Sequence, residues 1–193
     1  NFIFSANSQS TLKGVITNQK GAALPFVNIL INNSQKDGVS TDIDGPNYYL
    51  GLFGCIETNA EVRNLQIADC EIWGNKYAGA IAARNDGNIS SCCVSVGVVG
   101  AHDMSGGLCG YNNVGTISNC YSTVEVRGDY NTGGLVGYSY NASQIKFSYS
   151  AGEVMAGYIR GGLCGGSFLG GAPTCFWDTE TSTQLTSEGG VGK

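Results

Sequence analysis

Glu125 and Glu153 stand one repeat step apart in the sequence, and two carboxylates on one face are what glycoside hydrolysis needs, one as general acid and one as base or nucleophile. Gly97 occupies the preceding step of that series and breaks it. A carboxylate pointing outward from a strand is also, as a rule, simply solvated. Asp178 and Glu180 lie near the end of the chain, where a turn or cap role suits them better than catalysis. His102 beside Asp103 offers a base, yet no nucleophile is tied to it by spacing. Asp42-Ile43-Asp44-Gly45 has the alternating acids of half a calcium loop. The Glu that closes such a loop is missing, and Asp side chains folding back on the backbone account for a β-turn there. The paired glycines are never followed by Lys-Ser or Lys-Thr, so no phosphate loop is present. The chain is therefore expected to be non-enzymatic, with no catalytic residue, no cofactor and no metal.

Eight cysteines would suit a disulfide scaffold, but none forms a Cys-x-x-Cys pair, and the single His102 cannot complete a zinc set. The residues left for recognition are aromatic. Tyr111, Tyr130, Tyr138 and Tyr140 fall in or beside expected turns, where a ring can stack and a neighbouring Asn amide can hydrogen-bond a glycan or a protein. Tyr138 and Tyr140 could equally pack at a corner.

The elements that must position these residues follow from an internal repeat. Gly106-Gly107-Leu108-Cys109-Gly110 returns as Gly133-Gly134-Leu135-Val136-Gly137 and Gly161-Gly162-Leu163-Cys164-Gly165, and in weaker form around Leu52 and Ile81, at steps of 27–29 residues. A second block, Ile117-Ser118-Asn119-Cys120-Tyr121, keeps the same step with Ile89-Ser90-Ser91-Cys92-Cys93 and Ile145-Lys146-Phe147-Ser148-Tyr149. Ser122-Thr123-Val124-Glu125-Val126 alternates as a strand does, and no window carries helical spacing. Two or three short strands per unit, punctuated by Gly and Asn clusters, describe one coil of a β-solenoid. The expectation is an all-β, right-handed β-solenoid of about five coils over residues 47–193, preceded by a short β-segment. In that register Cys70, Cys92, Cys120 and Cys175 share one column with Ser148, and Cys109 and Cys164 share another with Val136 and Ala82. Small buried side chains serve such columns whether or not they carry sulfur. Cys93, Tyr121, Tyr149 and Phe176 form an aromatic column by the same count.

Composition agrees with this. Thirty glycines with only three prolines and 42% hydrophobic residues exclude collagen and disorder for most of the chain. A formal net charge of −5 with only 10 basic residues gives no stripe to follow a phosphate backbone. Nucleic acid is an unsuitable partner, and no apolar run is long enough for membrane insertion as a helix. Asn1 to Gln9 reads as an apolar run followed by small residues, so residues 1–11 are expected to be a signal-peptide remnant or flexible arm and the protein to be exported.

The repeated Gly-Leu-x-Gly block followed by Ile-x-Asn-Cys-Tyr and alternating Val resembles the GLUG-motif repeat family of bacterial surface and adhesin-like proteins, and the closing Cys175-Phe176-Trp177-Asp178 resembles the end of such arrays. Two departures stand out: Gly79 to Ala83 softens the glycines, and the first unit lacks the alternating Val run and reaches its Cys at a shorter step. Gly14-Val15-Ile16-Thr17, Pro25-Phe26-Val27-Asn28 and Thr41-Asp42-Ile43-Asp44-Gly45 resemble the first half of the carboxypeptidase regulatory-like β-sandwich of exported Bacteroidota proteins. Residues 12–46 are accordingly expected to cap the solenoid. The resemblance implies a non-enzymatic extracellular module that binds a glycan or a host or cell-surface protein. The alternatives are a spacer for a domain outside this chain, or a polysaccharide-active enzyme.

Overall fold

The computed structural model describes residues 48–140, 143–167 and 174–193. The expected signal remnant, the carboxypeptidase regulatory-like segment and its Asp42-Ile43-Asp44-Gly45 turn lie outside the described residues. From Tyr49 onward the chain winds through β1 (Tyr49–Leu50), β2 (Phe53–Ile56), β3 (Glu61–Arg63), β4 (Gln66–Ile67) and β5 (Cys70–Gly74). The same circuit repeats as β6 (Tyr77–Gly79), β7 (Ala82–Asn85), β8 (Asn88–Ser90), β9 (Cys93–Val94) and β10 (Gly97–Ala101). The third turn is β11 (Met104–Gly106), β12 (Cys109–Asn112), β13 (Thr116–Ser118), β14 (Tyr121–Ser122) and β15 (Glu125–Gly128). The fourth is β16 (Thr132–Gly133), β17 (Val136–Ser139), β18 (Gln144–Lys146), β19 (Tyr149–Ser150) and β20 (Val154–Ala156). A partial fifth holds β21 (Arg160–Gly161), β22 (Cys164–Ser167) and β23 (Phe176–Trp177), then a single helical turn α1 (Thr179–Ser182) and β24 (Val191–Gly192).

Every strand bonds in parallel to its counterpart one turn away, giving five sheets around one stack. The protein is thus an all-β solenoid of four full coils and part of a fifth. Each coil has five strands rather than two or three, because strands of two to five residues are too short for a period of two to stand out.

The core is a set of inward columns. Leu52, Ile81, Leu108, Leu135 and Leu163 are all buried, as are Ile89, Ile117 and Ile145, and Ile72, Val99, Val126 and Val154. In-register stacking puts like on like, so each side chain fills the space left by the one below. The paired glycines serve this stack by lacking a Cβ. A Cβ on Gly106 would lie 2.1 Å from the Cys109 carbonyl oxygen and 2.5 Å from the nitrogen of Gly137 in the next coil, and one on Gly107 would lie 2.1 Å from Ser122 Oγ. These two have no left-handed backbone; close approach, not a tight turn, selects them.

The left-handed corners belong to other residues. Asn64, Ser91, Asn119 and Phe147 have φ of 48–56°, each just before the next inward residue. After three of these corners the inward side chain hydrogen-bonds the carbonyl two residues back: Cys92 Sγ to Ser90 O, Cys120 Sγ to Ser118 O and Ser148 Oγ to Lys146 O. In these three coils the column uses a small donor as well as a small volume. Cys70 does not belong to it. Gln66 pairs with Cys93, which places Leu65 opposite Cys92, whereas Cys70 pairs with Gly97. The short step from Cys70 to Cys92 reflects two different columns. The Cys109, Val136, Cys164 and Ala82 column holds as expected.

Candidate functional site

The expected recognition residues separate into two groups. Tyr111 lies in β12 and Tyr138 in β17, and the two are register partners. Their rings join a ladder from Tyr49 through Tyr77 to Tyr140, with centroid spacings of 4.7 Å, 5.6 Å, 6.1 Å and 6.3 Å. Ring is set against ring along this ladder, which leaves little open face for a ligand. The Tyr111 hydroxyl donates to Asn113 Oδ1, Asn113 Nδ2 donates to Asp86 Oδ1, and Arg84 pairs with Asp86 at 2.7 Å. Tyr111 thus braces a turn. Tyr130 stands elsewhere, exposed in the turn after β15, stacked on Tyr158 at 4.8 Å and set 5.7 Å from the His102 ring.

Tyr130 borders a surface that the sequence did not single out. On the sheet formed by β5, β10, β15 and β20, Trp73, Gly100, Arg127 and Met155 make one outward column. Trp73 is 50% exposed and lies across Gly100, where a Cβ would come within 2.5 Å of its Cζ3. The indole can settle on the sheet only because residue 100 has no side chain. Its Nε1 donates to Glu71 Oε1 at 3.1 Å, and the Arg127 guanidinium carbon is 5.8 Å from the ring centroid. Arg127 Nε also bonds Glu125, which raises the pKa of the guanidinium and holds it in place. Trp73, Arg127, Met155, His102 and Asp129 line an open depression of about 390 Å³, across which His102 Nε2 faces Asp129 Oδ2 at 3.5 Å. Cys70-Glu71-Ile72-Trp73 was the legible signal: alternation with Cys70 and Ile72 inward turns Trp73 outward. It stands where the later coils carry the alternating Val run that the first unit lacks, with Cys and Ile in place of Val.

The remaining candidates fall into structural places. Glu125 and Glu153 do sit in successive coils, as the Val126 and Val154 pairing requires, but the residue that breaks the column is Val98, not Gly97. Asp178 caps α1, accepting from the backbone N–H groups of Glu180 at 2.9 Å and Thr181 at 3.3 Å; those bonds lower its pKa. Cys55, Glu57 and Asp86 bring a thiol and two carboxylates within 4.8 Å of one another. Asp86 is already engaged by Arg84 and Asn113, however, and burial, with help from Glu57, pushes the Cys55 thiol up to about 12. A protonated thiol and a neutralised carboxylate make a poor ligand set at neutral pH. Burial likewise raises Cys164 to about 12 and Cys109 higher still, which makes both thiols unreactive.

Stacked parallel coils, a core of in-register inward columns and an outward aromatic surface define a β-solenoid repeat module. A family model described as the GLUG motif matches residues 104–127, the span from β11 to β15, and supports reading the chain as a GLUG-motif repeat. No curated protein and no solved structure matches the chain. Among the described residues no helix is long and apolar enough to cross a membrane.

Proposed function

We propose that this chain is a non-enzymatic, adhesin-like extracellular module of a bacterial surface protein, which binds glycan through the outward face of the β5, β10, β15 and β20 sheet. The observation that carries this reading is Trp73. A half-exposed indole loses apolar hydration only when something covers it, and this one is held in position from below by Gly100, along its edge by Glu71 and at its side by Arg127. A rigid aromatic surface with fixed polar neighbours loses little conformational freedom on binding. The same stacked architecture suits a spacer for a domain outside this chain, but a spacer has no use for Trp73.

The test is binding of the purified chain to a panel of immobilised glycans and matrix proteins. The parent protein is compared with Trp73→Ala and with a Tyr111→Ala/Tyr138→Ala variant. Binding should be lost in the first and kept in the second. A parent chain that binds nothing on the panel would sink the adhesin reading and favour the spacer.

A further inference from the structure

We infer that the Trp73 surface selects neutral polysaccharide and rejects acidic glycans. This rests on the glycan-binding reading above and names its ligand class. The argument is one of charge and occupancy. Glu71 and Glu125 flank the Trp73 and Arg127 column on the same sheet, Glu153 precedes β20 one coil on, and Asp129 lines the depression. Four carboxylates thus face one guanidinium and the His102 imidazole across a surface only a few residues wide. Arg127 is already ion-paired with Glu125 through its Nε, so it offsets one carboxylate and leaves the others uncompensated. A uronate or sulfate ester approaching Trp73 meets a net excess of like charge within a Debye length.

What remains complementary is an uncharged ring that packs its C–H face on Trp73 and gives its hydroxyls to the surrounding acceptors. Glu71 Oε2 and the carboxylate of Asp129 accept such donors, and Met155 adds an exposed apolar contact at the far end of the column. The column runs along the solenoid axis from Trp73 to Met155, so a sugar held on the indole can extend along it toward Met155.

The test is native affinity electrophoresis of the whole chain in gels holding one soluble polymer each. Hydroxyethylcellulose, galactomannan and mannan are the neutral probes; polygalacturonate and dextran sulfate are the acidic ones. Retardation is expected with at least one neutral polymer and with neither acidic one. Trp73→Ala should weaken the neutral interaction by about tenfold or more, as loss of a central aromatic anchor does, and Trp73→Phe should restore part of it. Glu71→Gln/Asp129→Asn should admit the acidic polymers. Circular dichroism should show each variant folded, since all three side chains lie on the surface. Retardation by the acidic polymers alone overturns the inference but leaves the glycan-binding reading in place. Neutral binding untouched by Trp73→Ala also overturns it. Retardation by none of the five overturns the inference, and the panel of glycans and matrix proteins then decides the broader reading.

Discussion

The backbone N–H of Cys120 donates to Ser148 Oγ at 3.1 Å, one full coil away. One coil earlier the N–H of Cys92 makes the equivalent bond to Cys120 Sγ at 3.4 Å. Thiol and hydroxyl perform the same two tasks in this column: each donates to the carbonyl two residues back and receives an amide from the neighbouring coil. Cys120→Ser should therefore stay within about 1 kcal/mol of the parent. Cys120→Val has similar volume but no donor or acceptor, and should lose about 1–3 kcal/mol by leaving buried backbone groups unpaired. Urea unfolding of the two variants checks this; equal stabilities would return the column to packing by size alone.

Gly107 and Gly157 make a matched pair of glycine tests. A Cβ on Gly107 would lie 2.1 Å from Ser122 Oγ and 2.4 Å from the Gly134 carbonyl oxygen, whereas one on Gly157 would find its nearest atom at 3.5 Å. Gly107→Ala should be destabilising by about 2–3 kcal/mol, since the coils must part to admit it. Gly157→Ala should stay within about 0.5 kcal/mol. Thermal melts of both variants are sufficient to read the difference.

Thiol chemistry gives a third expectation. Cys93 is half-buried and the other seven cysteines are buried and free. With an aromatic disulfide reagent at about neutral pH, the folded protein should label quickly at Cys93 alone, and all eight should label after denaturation. A denatured count near zero would mean that the columns hold disulfides and would refute the structural role given to them.

The same burial makes stability depend on alkaline pH. Cys55, Cys70 and Cys164 are raised from 9.0 to about 12, chiefly by burial. Between those values the unfolded chain has released protons that the folded chain still holds, so raising the pH favours unfolding. This contribution to stability is fully present below pH 9 and is lost as the pH climbs from there to about 12. Cys164→Val, which copies Val136 one coil earlier, should reduce that decline. Urea midpoints at about pH 8 and about pH 10.5 for parent and variant measure the slope; identical declines would assign the effect to other groups.

How much of this was legible follows from what repetition records. A repeat preserves whatever each coil must do alike, so the Leu108 and Leu135 column, the Cys109 and Val136 column and the Tyr121 and Tyr149 stack could all be placed from spacing. Tyr121 and Tyr149 lie 5.0 Å apart and within 7° of parallel. What one coil does alone leaves no such trace. Trp73 occurs once, in the coil that departs most from the consensus, and its partner is an absence, the missing side chain of Gly100. The register of that coil was lost for a related reason. Leu65 fills its corner in place of a Cys or Ser, and Cys70 was drawn into a column where it has no place. The Asn clusters that punctuate the repeat include Asn85 and Asn112, and Asn favours turns. Both are instead buried, and Asn85 Nδ2 donates to Asn112 Oδ1 at 2.9 Å, a ladder bond that only stacking reveals.

The end of the array is held by Trp177, the last side chain of a column that runs Ile67, Val94, Ser122, Ser150, Trp177 and closes on Gly192 of β24. The small residues leave room for the glycine of the facing strand. At the last position the indole covers Gly162, where a Cβ would fall 2.0 Å from its Cδ1. Trp177 Nε1 donates to the Gln184 carbonyl at 2.9 Å, and Gln184 Nε2 donates to the Val154 carbonyl at 2.9 Å. The segment beyond then returns along the final coil, where Gly162 N–H donates to Thr186 O and Glu188 N–H to Cys164 O. These bonds occupy an edge that would otherwise offer unpaired amides and carbonyls to another chain. Trp177→Ala should therefore do two separable things. It should reduce stability by about 3–5 kcal/mol, as loss of a buried Trp does, and it should raise the tendency to self-associate by loosening the cover over β21 and β22. Sedimentation velocity at increasing concentration distinguishes the two. A destabilised variant that stays monomeric while folded would mean that the edge is protected by its own strands and not by this closing segment.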